Sequence, residues 1–140
     1  MTHVLRSDAP RPADESPRHA SPAGRAADVG YLILRVGAAA LFLCHGLQKL
    51  FGLFGGLGGG AVPLTSRMGF AGVLELVGGA LLMLGVLTRP VALVLAGEMV
   101  IAYVTAHMPR AATPLQNGGE VPLLYALIFV FLALTPRDTH

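Results

Sequence analysis

Four long apolar runs, each with an ionisable side chain inside it or at its edge, constrain this chain most. They extend over about 29–50, 69–87, 90–108 and 119–135. A helix that crosses a bilayer needs roughly 17 to 25 mostly apolar residues. In hydrocarbon its backbone polar groups must also be satisfied internally. The first three runs meet that length. The fourth is marginal and has to sit with little tilt or thin the bilayer locally. The expectation is an all-α membrane protein: a four-transmembrane-helix bundle with a disordered N-terminal tail.

Composition points the same way. Of 140 residues, 54% are hydrophobic and 13% charged, with a mean hydropathy of +0.64. A soluble domain carries about 25% charge. The net charge of +2 comes from basic residues in the tail and loops, where they act as topology signals, and nucleic-acid binding is not expected. The single cysteine, Cys44, excludes an internal disulfide and CxxC chemistry, and reads as a small core hydrophobe.

Residues 1–28 hold four prolines, four arginines and four acids, with many Ala and Ser. Such a segment has too little apolar surface to fold, and it lacks the apolar core of a secretory signal. With four spans the termini share one side. The tail's Arg11, Arg18 and Arg25 then lie with Arg89 and Arg137, opposite Lys49, Arg67 and Arg110. This excess places both termini in the cytoplasm. Thr88 is the expected cap of the third helix, with Pro90 in its first turn. Pro122 argues for a fourth helix starting at Gly118 or Gly119. The Gly-rich first loop, 51–68, is apolar enough to lie at the outer interface or over the bundle mouth. Its GxGxxA pattern follows no strand, so it is no nucleotide site.

Ionisable groups inside a membrane are costly, and a functional role is their default reading. Arg35, Phe42, His45 and Lys49 fall on one face of the first helix by their spacing. Glu75 is the only charge in the second span and shares a face with Gly72 and Gly79, small residues that admit a neighbouring helix. Glu98 lies near the middle of the third span. His107 and Glu120 would frame the outer end. These residues define an outward-facing polar pocket or proton relay: His45, Lys49, Glu75, Glu98, His107 and Glu120. The blander readings are a His45–Glu75 or Lys49–Glu75 pair that only fixes helix register, and a snorkelling Lys49. Arg35 and Arg89 are assigned to topology and the interface, with Arg89 an anchor.

No metal site is expected. A bis-histidine haem between His45 and His107 is the weaker alternative, because His107 is off the face of Glu98 and is followed by Pro109. Zinc lacks compact ligand spacing. No catalytic constellation is legible, so whether the chain is itself an enzyme is left open.

The segments LRVGAAALFLCHGLQKLFG, GVLELVGGALLMLGVLTRPVAL, EMVIAYVTAHMP and NGGEVPLLYALIFVFLAL together resemble the DoxX family from about Tyr31 to Leu134. The most specific pieces are His45-Gly46-x-x-Lys49, Glu75-x-x-Gly78-Gly79, Gly85-x-x-Thr88-Arg89 and the Gly118-Gly119-Glu120 turn. The resemblance implies a four-helix protein of the bacterial cytoplasmic (inner) membrane. It also implies a link to quinone-coupled oxidation of thiosulfate, or to thiol and oxidative-stress complexes. The tail is not part of the family pattern.

The favoured expectation is an accessory subunit of a quinone- or thiol-linked redox system. In it, His45, Lys49 and Glu75 would bond a quinone carbonyl and Glu98 would relay its proton. Electrons would come from an oxidoreductase partner. The alternatives are a small proton-coupled transporter, working as a homo-oligomer, and a non-catalytic scaffold.

Overall fold

A computed structural model describes residues 21–135. The expected disorder of the tail up to residue 20 therefore lies outside the described residues, as do Pro136 and Arg137. All the regular elements among the described residues are helical.

Helix α1 spans Pro22–Phe51 and begins before the expected residue 29. Ser21 supplies the reason: its hydroxyl accepts from the Gly24 N–H at 3.1 Å, and Pro22 opens the first turn. Ala23, Ala26 and Ala27 then favour helix over coil. Residues 22–28 thus belong to a helix, not to the tail. At 1.5 Å per residue the 30 residues of α1 extend roughly 45 Å, longer than a hydrocarbon core of about 30 Å.

The loop after α1 makes one tight turn at Leu53–Gly55 and folds back onto the end of α1, where the Val62 N–H donates to the Lys49 carbonyl at 2.8 Å. Helix α2 is Arg67–Leu84, capped by the Ser66 hydroxyl on the Gly69 N–H. Helix α3 is Thr88–Ala102, prolonged by a π-helical turn at Tyr103–His107. Thr88 is not its cap. Leu87 holds that position in the left-handed region, and Thr88 is the first helical residue with its hydroxyl buried. A short helix that hydropathy does not signal, α4 at Pro114–Asn117, precedes α5 at Glu120–Leu134. Gly119 caps α5, so Pro122 falls in the first turn, where its missing N–H costs nothing.

Helix α1 packs chiefly on α2 and α3 on α5, with α2 against α3 joining the two pairs. The α1–α2 seam is close because its contact residues are small. A methyl group on Gly46 would sit 2.6 Å from the Leu76 backbone nitrogen, and one on Gly79 would sit 3.1 Å from the Ala39 carbonyl. The later residue on α1 meets the earlier one on α2, so the helices are antiparallel. Helices α3 and α5 are also antiparallel: Arg89 reaches Ala133 while Tyr103 packs over Gly119.

The core between the helices is formed by Phe42, Leu82, Leu95, Phe129 and Leu132. Outside it, large apolar side chains such as Ile33, Phe70, Leu84, Ile101 and Leu127 are exposed. Water disfavours such a surface and lipid does not. Three helices, Pro22–Phe51, Arg67–Leu84 and Thr88–His107, are long and apolar enough to cross a membrane. The apolar α5 has 15 residues, roughly 22 Å. The chain is a helical membrane protein whose environment is the lipid bilayer.

Candidate functional site: an ion pair beside a buried carboxyl

The closeness of α1 and α2 builds the centre of the site. Lys49 lies one turn beyond Gly46, and a methyl on Gly72 would be 3.0 Å from the Lys49 Cβ. The lysine stem therefore runs over Gly72 and carries its ammonium to Glu75, one turn further along α2. Lys49 Nζ donates to both carboxylate oxygens of Glu75, each at 2.5 Å. Glu75 is 2% exposed. In the low dielectric of a bundle interior a charge this buried persists only when paired.

Glu98 approaches from α3. Gly78 of α2 presses on the Leu95 side chain of α3. Glu75 lies one turn before Gly78 and Glu98 one turn after Leu95. Because α2 and α3 run in opposite directions, both steps lead toward the same end of the bundle. Glu98 is thereby set across the α2–α3 seam on the side of the Lys49–Glu75 pair. Both its carboxyl oxygens are buried, and neither has a hydrogen-bond partner among the described residues.

An aromatic wall closes the other side. The half-buried His45, one turn before Lys49, sets its ring edge-on to Tyr125 at 6.0 Å and to Phe42 at 6.5 Å. Tyr125 stacks on Phe129 at 5.7 Å, and Phe129 meets Phe42 edge-on at 4.9 Å. Contacts of this kind add about 0.5–1.5 kcal/mol beyond area burial. Tyr125 is a member of the site that sequence reasoning passed over. Its signal was there: it is the only polar side chain in the run 121–134.

His45, Lys49, Glu75 and Glu98 are thus gathered, but His107 and Glu120 have other neighbours. His107 Nδ1 lies 3.1 Å from the Asn117 carbonyl. Asn117, not among the residues expected to line the pocket, is 3% exposed and organises this end. Its amide donates to the Ala111 carbonyl, and its Oδ1 accepts from the Gly119 N–H. Glu120 is exposed in the first turn of α5, beside an open apolar groove that includes Pro114, Val121 and Leu124.

Arg35 and Arg89 occupy the opposite end of the bundle. Arg35, expected as a topology and interface residue, is buried at 9% exposure, and its Nη1 donates to the Leu82 carbonyl at 2.8 Å. Arg89 is exposed and donates from Nε to the Ala133 carbonyl at 3.1 Å. Each brings a side-chain donor to a carbonyl in the last turn of a helix, where intrahelical donors run out; the Leu82 carbonyl also accepts from the Gly85 N–H at 3.2 Å. Among the described residues no group of three or more His, Cys, Asp or Glu side chains is set to hold a metal ion.

A bundle of apolar helices around an intramembrane ion pair and a second buried carboxyl defines a polytopic membrane protein with a polar centre. The family model for DoxX matches residues 30–108. The chain is 37% identical over 109 residues to an uncharacterised protein of Haemophilus influenzae, covering 73% of this chain and 79% of that one. It is 33% identical over 110 residues to a Bacillus subtilis protein named "Putative oxidoreductase CatD", covering 77% of this chain and 80% of that one. No solved structure matches it. The chain belongs to the DoxX family. The matched region contains His45, Lys49, Glu75, Glu98 and His107, whereas Glu120 and Tyr125 lie beyond it.

Proposed function

We propose that this protein is an accessory subunit of a quinone- or thiol-linked redox system in the bacterial cytoplasmic membrane, with both termini in the cytoplasm. The observation that carries this reading is the gathering of His45, Tyr125, Lys49, Glu75 and Glu98 from four helices. The name given to CatD adds a redox association on the side of a relative.

The side chains present fit a quinone. Ring nitrogens of His45 and the hydroxyl of Tyr125 are donors of the kind a quinone carbonyl accepts. Tyr125, half-buried beside His45, supplies an aromatic face for a ring, with Phe42 and Phe129 packed behind it in the core. Glu98 supplies an acceptor for a reduced hydroxyl, and Lys49 with Glu75 fixes the charge beside it. A bound quinone would supply two-electron chemistry, and the chain's own groups would orient the ring and hold or release protons at Glu98. Electrons would enter from an oxidoreductase partner in the same membrane.

Solvent extraction of detergent-purified protein tests this reading. Near-stoichiometric quinone in the wild type, lost in His45→Ala, is the expected result. A protein that carries no quinone and takes up none when purified in its presence contradicts it.

A further inference from the structure

The polar centre has an odd charge count. Lys49 contributes one positive charge, Glu75 and Glu98 one negative charge each, and the neighbouring groups, His45 of α1 and Tyr125 of α5, are neutral in their ordinary forms. The ammonium is committed to both oxygens of Glu75. Glu98 has neither oxygen satisfied, although the Gly78–Leu95 contact sets it one turn along α3 on the same side of the seam as Glu75. Two carboxyl groups that share one site and one base cannot both remain ionised without a further cation. At this depth in a bundle the deficit cannot be left to solvent.

We propose that Lys49, Glu75 and Glu98 form a site for one exchangeable proton, shared between the two carboxyl groups and balanced by the single ammonium. The proton resides on Glu98 while Lys49 holds Glu75. Transfer of Lys49 to Glu98 would move the proton to Glu75, so the lysine and the proton exchange places and the total charge is conserved. The site is a proton-binding element in its own right. It needs neither a quinone nor a redox partner, so it stands or falls separately from the redox reading.

The count makes a sharp statement about variants. The wild type holds one protonated carboxyl at neutral pH. Glu98→Gln leaves one carboxylate and one ammonium, and holds none. Glu75→Gln does the same, because Lys49 is then released to pair with Glu98. Lys49→Met removes the base and holds two. If Glu98 were merely an isolated neutral acid, Glu75→Gln would keep its protonated carboxyl.

The test is difference infrared spectroscopy of the full chain in lipid nanodiscs, reading the hydrogen–deuterium-sensitive C=O stretch of protonated carboxyl groups. A band from any other acid of the chain is unchanged in the two glutamine variants and cancels in the comparison. One such band in the wild type, absent in both glutamine variants and about doubled in Lys49→Met, is the expected outcome. A wild type without the band overturns the proposal, whatever the variants do. A band that survives in Glu75→Gln overturns the sharing. Circular dichroism of each variant identifies any that fails to fold, and the wild-type spectrum alone still decides whether a proton is bound.

Discussion

Lys49, in the last turns of α1, holds both carboxylate oxygens of Glu75, the one acid of α2, across a seam made narrow by Gly46 and Gly72. The pair ties two membrane helices at one height and leaves Glu98 of α3 as the acid beside it without a hydrogen-bonding base.

Removing Lys49 strips Glu75 of its base and forces the buried carboxyl to take up a proton and lose its hydrogen bonds, a cost that removing both partners avoids. Lys49→Met is expected to lose on the order of 3 kcal/mol of stability at neutral pH. The double variant Lys49→Met/Glu75→Leu should recover most of that loss. Unfolding of the detergent-solubilised proteins, read as a double-mutant cycle, checks both. A double variant no more stable than the single one would show that the pair does more than balance charge.

The seam itself makes a second prediction. Gly46→Ala places a methyl against the Leu76 backbone nitrogen, where backbone rather than a flexible side chain must yield. Overpacking of this kind costs about 1–3 kcal/mol. Gly37→Ala on the same helix meets nothing within 4 Å and should be neutral, or stabilising by up to about 1 kcal/mol, through helix propensity. Thermal unfolding of the two variants side by side separates crowding from propensity.

A third prediction concerns the other end. Gly85 ends α2 at φ +76°, and the Arg35 guanidinium lies where a side chain on Gly85 would go. Gly85→Ala therefore suffers twice, from a left-handed backbone that L-residues disfavour and from collision with Arg35. Arg35→Ala removes the donor to the Leu82 carbonyl, a charged hydrogen bond worth about 1.5–3 kcal/mol. The double variant should be more stable than the sum of the single losses implies, because the collision is counted once too often in that sum. Strict additivity of the two losses would contradict the contact.

Much of this architecture is legible in the sequence. The spans follow from hydropathy, and Gly72, Glu75 and Gly79 announce a close helix contact with a charge in it. Spacing could not choose between His45 and Lys49 as the partner of Glu75. That choice depends on where the lysine stem passes over Gly72, a matter of packing between helices. Tyr125 was hidden for a related reason: α5 is apolar around its whole circumference, so periodicity does not say which face meets α1. Arg35 looked like an interfacial charge because its position near a span end is visible and its burial under the end of α2 is not. The first turns of α1 were masked by composition. Pro22 and the alanines after it resemble a tail until Ser21 is seen to cap them.

The most direct measurement of whether the polar centre is a ligand site uses its own tyrosine. The chain has no tryptophan and three tyrosines, so quenching of tyrosine fluorescence by a short-chain quinone reports on a few known rings. The expected result is saturable quenching of the wild type in nanodiscs, lost in Tyr125→Phe and weakened in His45→Ala and Glu98→Gln. Quenching that never saturates, or that is the same in Tyr125→Phe, would contradict a quinone site between His45, Tyr125 and Glu98.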